Sequence, residues 1–190
     1  MEHWGIIYNQ GRCDMRKLRN FSDVHYPFPM AWSERTEISA KYLKDFSKVL
    51  EFGAGTGRLG EFLPDSVQYF PSDIVGRGKN FQVIDLNLSL KLEFKPDACV
   101  ALGVLEYLQN LYFSLTEIRS VSRNFVFTYC ATRPTFLAEF RRKMNKWKNS
   151  FNERELECLL NETGWNIGEH ILIEQHKHYT QYLYVCHASE

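Results

Sequence analysis

The sequence predicts an α/β fold in which helices cover both faces of a mainly parallel sheet, with an antiparallel strand near the C-terminus. Short apolar runs of strand length alternate with amphipathic segments of helical period along most of the 190 residues. Several of the apolar runs end in an acid or a glycine. Alternating strands and helices form βαβ units, whose right-handed crossovers place helices on both faces of the sheet. Ligands of such sheets bind outside the carboxyl ends of the strands.

Length and composition fit one domain with a sizeable core. Lys+Arg and Asp+Glu both number 23, so the formal net charge is zero, which argues against a protein that mainly coats nucleic acid. The five cysteines form no C-x-x-C pair, and no stretch has the pattern of a signal peptide or a membrane span. We therefore expect a cytoplasmic protein with reduced thiols and without a nucleic-acid or membrane partner.

Residues 1–32 are predicted to form an N-terminal arm, and residues 33–190 the folded domain. The arm contains aromatic residues and prolines without a period, so it either covers a substrate cleft or is an ordered tail. Ser33 has the side chain of an N-cap, which predicts a helix over residues 34–46. The apolar residues of that helix recur every four positions, at Ile38, Tyr42 and Phe46.

The first predicted strand, residues 48–52, runs into a glycine-rich turn. It is apolar apart from Lys48 and Glu51, and a short helix is predicted from residue 58 to residue 63. The glycines stand at alternate positions, Gly53, Gly55 and Gly57. Glycines let a ligand lie against bare backbone, and the amides at the start of the next helix point at it. The G-x-G-x-G spacing differs from the G-x-G-x-x-G fingerprint of dinucleotide-binding enzymes and so disfavours a dehydrogenase.

The next three predicted strands end in side chains or turns that suit a ligand site. These strands are residues 67–73 ending in Asp73, residues 81–85 ending in Asp85, and residues 97–103 ending in Gly103. The link over residues 74–80 holds at most one helical turn. Because the carboxyl ends of parallel strands meet at one edge, these residues are expected to converge there.

The remainder of the chain continues the alternation. We predict a helix over residues 112–123, a strand over 124–129, a helix from 151 capped by Asn152 and ended by Gly164, and strands over 169–175 and 180–187. Residues 133–150 are predicted as an amphipathic helix with an apolar inner face of Phe140, Met144 and Trp147. Its outer face is basic, with Arg141, Arg142, Lys143, Lys146 and Lys148. That face is either simply solvated or steers an anionic acceptor.

From about residue 37 to residue 187 the order of motifs resembles a small class I S-adenosylmethionine-dependent methyltransferase. The run E-F-G-A-G-T-G from Glu51 is similar to the first motif of that family, and residues 97–108 are similar to the fourth. The pattern F-x-x-x-E-L-x-x-L-L-x-x-x-G-W from Phe151 is similar to its late helix. The resemblance implies a Rossmann-like, doubly wound sheet and S-adenosylmethionine as the cofactor.

The resemblance also implies roles for particular residues. Asp73 would accept hydrogen bonds from both ribose hydroxyls, Asp85 would meet the adenine amine, and Leu86 would pack on the adenine ring. Glu51 would order backbone amides and reach the methionine amine through water. The implied cofactor-binding set is completed by Gly53, Gly55, Gly57, Leu102 and Gly103. Two departures from the family are the short link over 74–80 and the pair Glu106-Tyr107, where many relatives have Glu-His.

The expected activity is methyl transfer to a small-molecule or sugar-like acceptor, which could be anionic. The alternative is a partner subunit that binds the cofactor without catalysis. Candidate bases are His25 and Tyr107, and candidate pocket-wall residues are Tyr129 and Cys130. The three histidines His176, His178 and His187 could meet on adjacent strands, but exposed edge histidines are the simpler interpretation, and no metal is predicted.

Overall fold

The centre of the protein is a seven-stranded sheet in the order β5-β4-β3-β6-β7-β9-β8. The structure is a computed structural model that describes residues 8–9, 12–13, 30–132, 140 and 144–189. The strands of the main sheet are β3 (Lys48–Phe52), β4 (Gln68–Asp73), β5 (Gln82–Val83), β6 (Ala98–Leu102), β7 (Asn124–Thr132), β8 (Trp165–Gln175) and β9 (Tyr179–Ala188). A separate antiparallel pair is formed by β1 (Tyr8–Asn9) and β2 (Arg12–Cys13).

Strands β3 to β7 run parallel, and β9 is inserted antiparallel between β7 and β8. Leu50 lies opposite both Phe70 and Cys99, which places β3 at the centre of the parallel part. The predicted fold class is therefore confirmed. The last two strands form the predicted pair, although β8 begins at Trp165, four residues earlier than predicted.

In the part of the chain that the structure describes, three α-helices flank the sheet: α1 (Met30–Lys41), α2 (Leu111–Val121) and α3 (Glu153–Glu162). Short 3-10 helices span Arg58–Phe62 and Leu105–Tyr107. No helix in the described ranges has both the length and the apolarity needed to cross a bilayer. The predicted capping box of α3 is present, since Asn152 accepts from the backbone of Glu155 and the Glu155 side chain accepts in return.

The prediction for the first helix was wrong at both ends. Helix α1 begins at Met30, so Ser33 lies inside it and is not its N-cap. It ends at Lys41, where the backbone tightens: Tyr42 donates to the carbonyl of Ser39, and Leu43 donates to that of Ala40. These bonds span three residues instead of four, which is how many helices close their last turn.

Two apolar clusters pack on opposite faces of the sheet because successive strand residues point to opposite sides. On β3, Val49 joins the cluster beneath α1, which includes Leu43 and Leu59. Leu50 and Phe52 join the larger cluster beneath α2 and α3, with Leu115, Ile118, Leu156, Leu160 and Trp165 among its members. Helices thus cover both faces, as predicted. The carboxyl ends of the parallel strands lie together at one edge of the sheet.

The basic segment departs from its prediction in the part that is described. Residues 133–139 and 141–143, and with them Arg141, Arg142 and Lys143, lie outside the described residues. Phe140 and Met144 are 58% and 50% exposed, so they do not form an inner apolar face. The chain leaves the helix after Met144, because Lys146 has a left-handed backbone (φ 59°) and Lys148 donates its amide to the carbonyl of Glu106 at 2.7 Å.

Candidate functional site

The glycine loop after β3 is open on one side. Gly53, Gly55 and Gly57 all have positive φ, at 64°, 60° and 75°. A Cβ atom added to Gly53 would lie 2.5 Å from Cγ2 of Val104, so that position is closed by the loop after β6. A Cβ atom added to Gly55 would meet none of the described residues within 4 Å. The loop therefore presents bare backbone to open space beside Gly55, which is the shape of a ligand cradle.

Asp73, at the end of β4, lies directly against this loop. Its Oδ2 accepts a hydrogen bond from the Gly55 amide at 3.1 Å, and its Oδ1 accepts one from the Ile74 amide at 2.8 Å. Arg77 forms an ion pair with it, with Nε 2.6 Å from Oδ2. The loop and the buried carboxylate thus form one hydrogen-bonded unit, and the charge of Asp73 is balanced by Arg77.

The third predicted strand ends in a hydrogen-bonded acid, Asp85, and carries an exposed apolar side chain, Val83. Oδ1 of Asp85 accepts from both the amide and the side-chain nitrogen of Asn87, at 2.9 and 2.8 Å. Leu86 is buried in the larger core cluster, and its carbonyl accepts from the hydroxyl of Ser114 at 2.8 Å. Val83 is 67% exposed. The apolar surface at this end of the edge is therefore offered by Val83, while a contact of Leu86 with an adenine ring stays a prediction.

Arg35 reaches the same edge from helix α1. Its Nη2 donates to the carbonyl of Leu102 at 3.2 Å. Gly103 has a φ of 71°, and a Cβ atom there would lie 2.9 Å from Nη1 of Arg35, so glycine makes room for the guanidinium. Burial lowers the pKa of Arg35, and the negative charges of Glu106 and, more weakly, Glu51 raise it. A guanidinium stays protonated in proteins, so a permanent cation lies beside the end of β6.

A buried acid, Glu51, lies next to the loop and accepts a short hydrogen bond from the hydroxyl of Tyr69. Burial raises the pKa of Glu51 to about 7, and Asp73 adds to that effect, while the hydrogen bond from Tyr69 and the charge of Arg35 oppose it. The ring of Tyr69 supports the loop, because a Cβ atom on Gly60 would lie 2.9 Å from its Cδ1. Glu51 is therefore partly protonated near neutral pH.

The 3-10 helix after β6 carries Glu106 and Tyr107. Glu106 is buried, and its Oε1 accepts from the amide of Cys130 at 2.8 Å. Burial raises the pKa of Glu106 and also that of Tyr107, where a hydrogen bond from Trp147 acts in the opposite direction. The carbonyl of Glu106 also fastens the backbone of Lys148. These contacts place an aromatic pair, Tyr107 and Trp147, beside the edge that Arg35 occupies.

Solved methyltransferase structures share this architecture. The N-methyltransferase NodS from Bradyrhizobium japonicum WM9, in complex with S-adenosylhomocysteine, has a TM-score of 0.69 at 16% identity, covering 92% of this chain and 98% of that chain. The 1,6-didemethyltoxoflavin-N1-methyltransferase from Burkholderia thailandensis has 0.67 at 16% identity, covering 93% and 83%. Magnesium protoporphyrin IX methyltransferase from Synechocystis PCC 6803 has 0.65 at 15% identity, covering 92% and 94%.

The chain has the class I methyltransferase fold. Comparisons with protein-family models and with curated protein sequences give no match. The expected fold family is therefore confirmed by architecture.

Three polar residues at this edge of the methyltransferase fold were not predicted from the sequence: Arg35, Tyr69 and Arg77. Arg77 carried a signal, because it follows Asp73 by four residues. Tyr69 lies next to Glu51 because the register of β3 and β4 pairs Glu51 with Pro71, two residues after Tyr69. That register is not visible in the sequence. Arg35 depends on the path of α1 across the sheet, which no local pattern reveals.

The two residues proposed to line the pocket wall, Tyr129 and Cys130, make structural contacts. The hydroxyl of Tyr129 donates to Oδ1 of Asn149 at 2.6 Å and accepts from the amide of Phe151 at 2.9 Å. Burial raises the pKa of the Cys130 thiol well above its usual value, and Gln181 donates to its sulfur at 3.6 Å. Both side chains lie in the interior. Because the pKa of the Cys130 thiol is raised, that thiol is not an activated nucleophile. His25 lies outside the described residues.

Tyr129→Phe is expected to lower the free energy of unfolding by about 1–3 kcal/mol, because Oδ1 of Asn149 and the amide of Phe151, both half-buried, lose the hydroxyl as a hydrogen-bond partner. Urea unfolding followed by fluorescence measures the loss. Tyr112→Phe is the matched control, since Tyr112 is exposed on α2 and should tolerate the change. Unchanged stability of Tyr129→Phe together with lost activity would instead make Tyr129 part of the reaction.

The structure does not bring the three histidines together. His176 and His178 lie at the turn between β8 and β9, where their rings are 5.5 Å apart. His187 lies eight residues further along β9 than Tyr179, which corresponds to about 26 Å of strand. It contacts Oδ1 of Asn124 at 2.9 Å through Nδ1. A metal site shared by His187 and the other two is therefore ruled out by the strand geometry.

Proposed function

We propose that this chain transfers a methyl group from S-adenosylmethionine to a small-molecule or sugar-like acceptor. The observation that carries the proposal is the open cradle at Gly55, bounded by the Asp73 carboxylate and backed by a permanent cation, Arg35, at the same sheet edge. Three neighbours of the same fold are described with S-adenosylmethionine or S-adenosylhomocysteine bound, which supports the same cofactor here.

The residues around the cradle fit the nucleoside part of that cofactor. The Asp73 carboxylate accepts from Gly55, Ile74 and Arg77, so it would hold the ribose hydroxyls with its remaining lone pair and with the one that Arg77 would release. Asp85 would accept from the adenine amine, and Val83 offers an exposed apolar surface for the ring. The bare backbone at Gly55 leaves space for the group that joins the two ends of the cofactor.

The amino-acid part of the cofactor carries one positive and one negative charge. Arg35 would hold its carboxylate, because a guanidinium matches a carboxylate in geometry and charge. Glu51 and Glu106 both act electrostatically on Arg35, and Glu51 would receive the ammonium group through water. When bound, S-adenosylmethionine supplies an electrophilic methyl group, so the protein mainly aligns the acceptor and excludes water.

The acceptor side of the edge is aromatic and basic. Tyr107 and Trp147 lie together, and Trp147 packs edge-on against Tyr179 with ring centroids 5.7 Å apart. Lys146 and Lys148 are exposed on the same segment. Aromatic faces suit the apolar face of a sugar or a planar ring, and the lysines suit an anionic group on it. Tyr107 was the sequence's candidate base; because burial raises the pKa of its phenol, it would position a hydroxyl acceptor by hydrogen bonding instead of taking its proton.

Turnover assays test the proposal. The purified chain is incubated with S-adenosylmethionine and a panel of amine, hydroxyl and phosphorylated-sugar acceptors, and formation of S-adenosylhomocysteine is measured. We expect product with at least one acceptor class, and a lower rate for Tyr107→Phe than for the control Tyr112→Phe when the acceptor is a hydroxyl. Cofactor binding without product from any acceptor would contradict transfer and favour a non-catalytic subunit.

A further inference from the structure

A second polar cluster lies far from the glycine loop, where helix α3 covers β8, the edge strand opposite β5. Glu153 and Glu157 stand one turn apart on α3, and His170 faces them from β8. Nδ1 of His170 is 3.6 Å from Oε1 of Glu153 and 3.9 Å from Oε1 of Glu157. One ligand atom from each of the three residues lies within 4.8 Å of the others.

Packing fixes the three side chains in this arrangement. Residues four apart share one face of a helix, and the burial of Leu156 and Leu160 sets which face of α3 looks at the sheet. The ring of His170 stacks on Tyr184 with centroids 4.4 Å apart and an angle of 14° between planes. The hydroxyl of Tyr182 donates to Oε2 of Glu153 at 3.0 Å. Contacts therefore hold the His170 ring and the Glu153 carboxylate before any ligand arrives, and the helix places Glu157 on the same face.

Two buried polar atoms, one in the cluster and one in the residue stacked on it, have no hydrogen-bond partner among the described residues. The hydroxyl of Tyr184, a completely buried residue, has no hydrogen-bond partner among the described residues, and the same holds for the buried Nε2 of His170. Burial raises the pKa of Tyr184, and the charges of Glu153 and Glu157 raise it further. Two carboxylates this close repel each other, and the phenol beside them supplies no positive charge. The cluster thus brings two carboxylates and an imidazole within a few ångströms of one another.

We propose that Glu153, Glu157 and His170 form a binding site for a divalent transition-metal ion of the Zn²⁺ type. Ligand atoms of a tetrahedral zinc stand about 3.4 Å apart, given bond lengths of about 2.0–2.2 Å, so the observed separations need only a small inward rotation of the half-exposed glutamates. An imidazole among the ligands favours zinc, nickel or copper over Mg²⁺ and Ca²⁺, which prefer oxygen ligands alone. Water would complete the coordination, and the ion would clip α3 to β8.

The proposal is tested on the full chain after removal of metals with a chelator. Zn²⁺ titrated by calorimetry should bind at one ion per chain, and saturation at about 100 times Kd should raise Tm by about 5–10 °C. Glu157→Gln keeps the size of the side chain and should weaken Zn²⁺ binding at least tenfold, as expected for loss of a metal ligand. Glu162→Gln makes the same charge change on an exposed residue of the same helix and should bind Zn²⁺ like the wild type.

Two further variants separate this site from other zinc-binding groups in the chain. Cys158 is exposed and adjacent to Glu157, so Cys158→Ser should retain Zn²⁺ affinity. The double variant of His176→Gln and His178→Gln should also retain it. Visible absorption of bound Co²⁺ should disappear in His170→Gln, whose fold is checked by circular dichroism. Absence of Zn²⁺ binding, full affinity in Glu157→Gln, or affinity lost with Cys158 or the histidine pair would each overturn the proposal.

Discussion

Asp73→Ala is expected to weaken binding of S-adenosylmethionine by about 1.5–3 kcal/mol, which is about 10- to 150-fold in Kd. The carboxylate would hold the ribose, and it also holds the amide of Gly55, so the variant loses a ligand contact and an anchor of the cradle together. Isothermal titration calorimetry with S-adenosylmethionine and S-adenosylhomocysteine measures the effect. Both ligands should be affected alike, because they share the ribose.

Asp65→Ala is the matched control, since Asp65 is an exposed acid shortly before the same strand and should leave the affinity unchanged. Arg77→Gln removes only the ion pair of Asp73 and leaves in place the carboxylate that accepts from Gly55 and would hold the ribose. We expect Arg77→Gln to retain cofactor binding. If Asp73→Ala unfolded at lower urea but bound the cofactor normally, Asp73 would be a structural residue only.

Glu51→Gln is expected to flatten the pH dependence of stability. Burial raises the pKa of Glu51 to about 7, above the value of about 4.3 for an unfolded chain, so the folded protein holds a proton that the unfolded chain releases. Stability from this group is complete at acidic pH and is lost as pH rises from about 4.3 to about 7. The loss between pH 5 and pH 8 amounts to about 2–3 kcal/mol.

Urea unfolding at pH 5, 6, 7 and 8 measures that slope in the wild type and in Glu51→Gln. The variant should gain stability relative to the wild type as pH rises, because glutamine stays neutral and still accepts from the Tyr69 hydroxyl. Burial raises the pKa of Glu106 as well, so a slope of the same sign from that group should remain. Glu61→Gln changes an exposed glutamate and should keep the wild-type slope. Parallel curves for wild type and Glu51→Gln would contradict the assignment.

The elements that could be predicted are those whose signal is local. The apolar runs that became β3, β4 and β6 and the capping box of α3 each depend on a few adjacent residues. The ends of α1 and the segment after Met144 depend on partners far away in the chain. The carbonyl of Glu106, for example, accepts from the amide of Lys148 and holds it outside a helix, which no helical period indicates. The same limit explains why the predicted inner face of the basic segment was wrong.

The candidate site divides in the same way. The glycines and Asp73 were predicted because each stands at a strand end, and the topology alone brings strand ends together. Arg35 was missed, because its place beside Gly103 depends on how α1 crosses the sheet. Leu86 was predicted as a ring contact, and this stays a prediction; the structure buries Leu86 in the core cluster beneath α2 and leaves Val83 at the surface.

The central claim is that the edge at Gly55, Asp73 and Arg35 binds S-adenosylmethionine and not a dinucleotide. Calorimetry of the wild-type chain with S-adenosylmethionine, S-adenosylhomocysteine and NAD tests it most directly. We predict binding of both sulfur nucleosides at one per chain and no heat with NAD. Binding of NAD in the absence of heat with either sulfur nucleoside would contradict the claim.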